Sequence, residues 1–221
     1  LVSSRGLGDV YKRQGLLDLE LGRESELTHY DWITDTTVHD GSAWAYMKNS
    51  KYKTTTDLVH YLIDNVSKNG YMLLNIGPKP DGTIPEEDKN LLEGIGNWLD
   101  VNGEAIFETE TWDQYGEGPT KMNAAGPFSD NRAKLIYTAK DFRFTTKDNF
   151  LYATALGWPS KDFTIESIYK LFDNEIERVE LLGSTDKVEW KHTRDGLHIT
   201  RPDNKPCEHA YSFKITRKEY F

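Results

Sequence analysis

The chain has 221 residues, 37% hydrophobic and 29% charged, with a net charge of −9, which is enough for one large or two small soluble cores. No apolar run approaches bilayer length, so a membrane-spanning helix is excluded, and the acid excess argues against a nucleic-acid partner, which would want a basic face. A neutral ligand fits better, and the six tryptophans suit sugar rings, although aromatics also build ordinary cores. Cys207 is the single cysteine, which rules out an internal disulfide and a cysteine-held metal without deciding the compartment.

Residues 1–14, LVSSRGLGDVYKRQ, carry neither a signal-peptide core nor a helical or strand period. Asp9 to Gln14 can be written in codons as GAT GTG TAT AAG AGA CAG, which resembles the end of a transposon adapter used in sequencing libraries; a disordered native arm is the alternative. The segment is therefore read as non-native, the natural N-terminus as absent, and any targeting signal as lost with it.

From Gly15 the pattern alternates. Gly15 to Leu21 reads as a buried strand, and Trp32 to Val38 is rich in β-formers. Thr54, Thr55 and Thr56 offer caps to a helix with Leu58, Tyr61, Leu62 and Val66 on one face, ended by Asn69-Gly70. Tyr71 to Ile76 is an apolar run broken only at Asn75, as in a parallel strand buried on both faces. The Gly77-Pro78 and Asp81-Gly82 turns then lead to Pro85 and the acidic start Glu86-Glu87-Asp88, which complements a helix dipole. Leu91, Leu92, Ile95, Trp98 and Leu99 form that helix's buried stripe, and Asn102-Gly103 stops it.

This is the tail of a (β/α) repeat with too few strands to close a barrel. Asp113 to Arg132, rich in Gly, Pro, Asn and Ser, reads as a linker. Beyond it the period becomes two, with seven short strand candidates from Leu135 to Thr216, as expected of an antiparallel β-sandwich. The expected division is 15–112 for the barrel portion, 113–132 for the linker and 133–221 for the sandwich.

NGYMLLNIGPKPDGTIPE, followed by IGNWLDVNGEAIF and Trp112, resembles the C-terminal part of α-L-fucosidases of glycoside hydrolase family 29. DLELGR is similar to the family's D-x-E-R-G stretch, DWITDTTV to its W-[QE]-T-D-T segment, SAWAY to its S-W-G-Y element, and LYATALGWP to a strand of its C-terminal sandwich. The resemblance covers nearly everything after Gly15. It implies the last part of a (β/α)8-like catalytic barrel followed by an antiparallel β-sandwich. It further implies hydrolysis of terminal α-L-fucose with retention, no metal or organic cofactor, a fucosylated glycan as partner, and a periplasmic or secreted address. Retaining enzymes use two carboxyls about 5 Å apart. The family's nucleophilic Asp lies on an earlier strand, and no residue here matches its motif.

Glu20 stands at the family's Glu in D-x-E-R-G and is the candidate general acid/base. Burial or a neighbouring negative charge would be needed to keep it protonated near neutral pH. The sequence departs from the pattern at Leu21, where Arg is common, and a surface or helix-capping Glu stays open as the alternative. Trp44 is the candidate sugar platform, since an indole can cover the apolar face and methyl group of fucose. Trp32 and Asp35 are further candidates for substrate contact. Asn75 is another, with the tying of strand ends around the pocket the stronger expectation. His29, His39 and His60 lack metal-ligand spacing, and His60 is expected at a helix surface. A rival reading is a non-catalytic carbohydrate-binding protein using the Trp112 to Phe221 region. It is expected to fail, because no exposed aromatic pair is evident in the sequence there; a catalytically dead homologue is a third reading.

Overall fold

The computed structural model describes residues 15–41, 43–122, 125–131 and 135–218. The adapter-derived reading of 1–14 and the ends of several expected segments lie outside them. Three strands, β1 (Leu17–Asp18), β2 (Trp32–Thr37) and β3 (Gly70–Asn75), form a parallel sheet in chain order. Helix α1 (Thr55–Ser67) connects β2 to β3, and α2 (Glu86–Asn102) follows β3. Parallel neighbours need such a crossover, and the chain spends its hydrophobic helix faces on covering one side of the sheet.

Local chemistry sets the boundaries. Thr54 caps α1 with a full capping box: its side chain accepts from the Asp57 N–H while Asp57 reaches back to the Thr54 N–H. Past the Lys68 cap of this helix it is Asn69, not Gly70, that takes the left-handed conformation (φ +70°). Gly70 is needed for another reason: a Cβ there would lie 2.4 Å from the Trp32 ring. Helix α2 stops at Asn102-Gly103 as expected, but without a left-handed cap: Gly103 has a φ of −58° and leads into a short 3-10 turn, Gly103–Ala105.

The expectation that β3 is buried on both faces is corrected. Tyr71 and Leu73 are 54% and 58% exposed, because the helices cover one face and the other faces no described element. Helix α1, by contrast, is buried nearly all round, including His60, Asp64 and Asn65, because the sandwich packs on the side expected to meet water. His60, expected at the surface, is buried and donates through Nε2 to the His209 carbonyl oxygen of the sandwich at 2.9 Å.

The sandwich has two antiparallel sheets. The larger, in the order β4-β5-β6-β11-β8, comprises β4 (Glu110–Glu117), β5 (Phe142–Lys147), β6 (Phe150–Ala155), β11 (Tyr211–Arg217) and β8 (Ile176–Leu181). The smaller, β7-β10-β9, comprises β7 (Phe163–Ile165), β10 (Gly196–Ile199) and β9 (Trp190–Thr193). All seven strand candidates beyond the expected linker contain a strand. The linker itself needs correction: residues 113–117 belong to β4, which pairs with β5 across an irregularity between Thr111 and Gly116. Phe142, Phe144, Phe213 and Ile215 centre the core between the two sheets.

The parallel layer and the sandwich share a second core, in which Val38, Leu58, Ile63, Ile95 and Trp98 pack with Leu156 and Ala210. The Trp98 indole donates to the Ala210 carbonyl at 2.9 Å, and the Ser212 N–H donates to Asn102 Oδ1. Beside this junction a buried cluster centres on Asp64. Arg143 Nε lies 2.6 Å from one of its oxygens, with Lys68 Nζ at 2.8 Å and Arg23 Nη1 at 3.4 Å from the other. Burial would raise the Asp64 carboxyl, but the three cations outweigh it and hold it well below the usual carboxylate range.

Candidate active site

The open face of the parallel sheet gathers the chemistry. Alternation places Asp18 and Glu20 on one side of the first strand, whose ladder continues past Asp18 through Leu19 N–H to Ile33 O and Leu21 N–H to Asp35 O. The register sets Asp18 beside Ile33, and Asp35 beside Leu73. Asp18, Glu20 and Asp35 therefore form a carboxylate group on the face left uncovered by the helices. Burial raises the Asp35 carboxyl above its ordinary value, and the negative charges of Asp18 and then Glu20 push the same way. One Asp35 oxygen, Oδ1, is buried without a hydrogen-bond partner among the described residues. Asp18 was missed in the sequence, although its i, i+2 spacing to Glu20 was a signal: two strand residues so spaced share a face.

The loop after β2 brings in the aromatic component. Trp44 is half-buried, belongs to neither core, and its carbonyl accepts a 2.8 Å hydrogen bond from Asn75 Nδ2 at the end of β3. Asn75 thus ties the Trp44 loop to the strand end. Gly77 lets the two segments approach: a Cβ there would sit 2.7 Å from the Tyr46 backbone nitrogen. The Gly77 N–H donates to the fully buried Asp88 in α2, so the acidic helix start also anchors this turn.

The turn after Glu20 is fixed from the other side. Leu21 is buried with φ +46°, a strained conformation for a bulky residue, and its N–H and carbonyl are bonded to Asp35 and Asp130. Phe128 N–H donates to the Glu20 carbonyl at 2.7 Å, and Arg23 joins Asp130 to the Asp64 cluster.

Trp32 departs from the sequence expectation. It is 0% exposed, its indole donates to the Lys68 carbonyl at 3.1 Å, and its ring lies on Gly70. It begins β2, whereas Glu20, Trp44 and Asn75 lie at or beyond the C-terminal strand ends; it is a core tryptophan that seats the helix-to-strand turn. Among the described residues no group of three or more His, Cys, Asp or Glu could hold a metal ion, and no helix is long and apolar enough to cross a membrane.

Carboxylates and a half-buried indole at the C-terminal ends of parallel strands fit the needs of a glycoside hydrolase, which pairs carboxyl chemistry with cover for an apolar sugar face. The sequence matches the family described as "Alpha-L-fucosidase" over residues 1–104 and "Alpha-L-fucosidase C-terminal domain" over residues 134–216; the chain belongs to the α-L-fucosidase family. It is 30% identical over 220 residues to the plasma alpha-L-fucosidase of Pongo abelii, covering 96% of this chain and 43% of that protein. To the tissue alpha-L-fucosidase of Rattus norvegicus it is 29% identical, covering 88% and 39%. The chain thus spans less than half the length of the curated relatives it matches. Among solved structures, the alpha-fucosidase of Thermotoga maritima in complex with a mechanism-based inhibitor superposes with a TM-score of 0.69 at 26% identity, over 90% of this chain and 42% of that one. Isoenzyme 1 from Paenibacillus thiaminolyticus, at 22% identity, shares the fold with a TM-score of 0.70 over 91% and 45%.

Proposed function

We propose that the chain is the C-terminal part of a retaining α-L-fucosidase, whose (β/α)8-like barrel includes β1 to β3 and whose substrate is a terminal α-L-fucose on a glycan. The observation that carries this reading is the group Asp18, Glu20 and Asp35 on the uncovered sheet face. Glu20 serves as the acid/base, protonating the leaving oxygen and then activating water. The second carboxyl of a retaining pair stands about 5 Å away and forms the glycosyl-enzyme intermediate; it belongs to a strand outside this chain. Trp44 covers the apolar sugar face, Asn75 acts by holding the Trp44 loop, and Asp35, with an unpartnered oxygen, accepts from a sugar hydroxyl.

On this reading the chain alone has half of the carboxyl pair and does not turn over an aryl α-L-fucoside. A sensitive release assay on the purified chain tests the point, and turnover abolished by Glu20→Gln would overturn it. In a chain complemented with the remaining barrel, Glu20→Gln should lower kcat by about two to four orders of magnitude. Substrates with activated leaving groups, which need little protonation, should lose less.

A further inference from the structure

The sandwich holds a cleft with a volume of about 960 Å³. It opens at one end of the two sheets, where β4, the β5–β6 turn, the β7–β8 segment, β9 and β11 meet. Every residue lining it falls between Trp112 and Lys218, so Glu20, Trp44 and Asn75 take no part. Its floor is hydrophobic core, including Leu151 and Ile215. Its lining includes Tyr169 and Phe172, 53% and 66% exposed, and the half-buried Trp112. An exposed aromatic pair, not evident in the sequence, is therefore present.

Two polar atoms in the lining are buried without a hydrogen-bond partner among the described residues: Arg217 Nε and His192 Nε2. Buried polar atoms without partners are uncommon and call for an explanation. The neighbouring Arg217 Nη2 is already committed to Thr146 Oγ1 at 3.1 Å, so the guanidinium is held with its Nε–H unused. Three lining carboxylates face two lining cations, which leaves the cleft nearly neutral in a chain of net charge −9. Burial lowers the His192 pKa, so the ring adds no charge at neutral pH.

We infer that this cleft is a second, non-catalytic site that binds a neutral oligosaccharide. Its mixture is the one a sugar needs: exposed rings for the apolar C–H faces, and unused polar atoms for hydroxyls, which both donate and accept. The volume lies at the upper end of small-molecule sites, roughly 300–1,000 Å³, and leaves room for more than one ring. The class of ligand rests on the glycan-acting reading above; the location does not. Such a site would hold the body of a glycan while its terminal residue is processed elsewhere.

The test is saturation-transfer NMR and calorimetric titration of the intact chain carrying Trp44→Ala, which silences the strand-end site. The probes are a neutral fucosylated trisaccharide, its unfucosylated disaccharide core and a mixed tripeptide pool. Both sugars should bind, and adding Tyr169→Ala and Phe172→Ala should weaken binding by roughly tenfold, about 1.4 kcal/mol for the two stacking contacts together. Both rings are more than half exposed, so the thermal midpoint should stay put as a control for folding. Absence of sugar binding in the Trp44→Ala chain, binding indifferent to the Tyr169 and Phe172 substitutions, or binding of the peptide pool alone would overturn the inference. Sugar binding by the unsubstituted chain that Trp44→Ala abolishes would sink the second site while leaving the fucosidase reading intact.

Discussion

Asp64 is the residue on which most of the buried charge depends. Arg143, Lys68 and Arg23 all converge on it, and each is almost completely buried. Removing its charge would leave three cations in a low-dielectric site, so Asp64→Asn should cost about 3–5 kcal/mol in urea unfolding. The pH dependence follows from the depressed folded pKa. The contribution is fully present above the unfolded value, about 3.9, and is lost as pH falls through the folded value, below the usual carboxylate range. Between about pH 5 and pH 3 the native chain should therefore lose stability more steeply than Asp64→Asn; parallel curves would refute the assignment. Little of this was legible in the sequence, where Asp64 and Lys68 look like an ordinary i, i+4 surface pair and Arg143 lies 79 positions away. The position of Glu20 on the uncovered sheet face was legible because strand alternation and a local motif both bear on it. Trp32 was not: being near a strand end does not say which end, and only burial against Gly70 separates a core indole from a sugar platform.

At the scale of elements, the helix-to-strand turn between α1 and β3 depends on a single missing methyl group. Gly70 pairs with Trp32 in the ladder, and the indole's six-membered ring occupies the space of a Cβ. Overpacking of this kind costs about 1–3 kcal/mol. Gly70→Ala should destabilise by that amount, and Trp32→Phe, which removes ring atoms at the point of clash, should recover part of it. A double-mutant cycle checks this; strictly additive losses would mean the clash is not the cause. The sandwich strands were legible because a period of two survives wherever one face is buried. Strand β4 was not, because its sequence ETWDQYGE offers little apolar alternation and runs into a Gly- and Pro-rich segment. Its place comes from pairing with β5, a non-local contact that local composition does not encode.

For the whole molecule, the question is whether the parallel layer and the sandwich are two bodies on a tether or one. A reading of 113–132 as a linker implies two, each unfolding by itself. The contacts argue for one: the Trp98 indole bonds the Ala210 carbonyl, Asn102 accepts from Ser212, Asp64 holds Arg143 of β5, and Leu156 and Ala210 complete the core around Leu58 and Ile95. Opening this junction would expose apolar surface and strand a carboxylate among fewer partners, so neither half gains by separating. Calorimetry should accordingly show one transition, with the calorimetric and van't Hoff enthalpies in agreement. Trp98→Phe keeps an aromatic ring but leaves the buried Ala210 carbonyl only the weak Cys207 thiol donor at 3.3 Å, at a cost of about 1 kcal/mol. It should shift that single transition downwards without splitting it. If the native chain gives two transitions, or if Trp98→Phe moves only the lower of two, the shared core does not couple the halves, and the linker reading is the better description of how the chain folds.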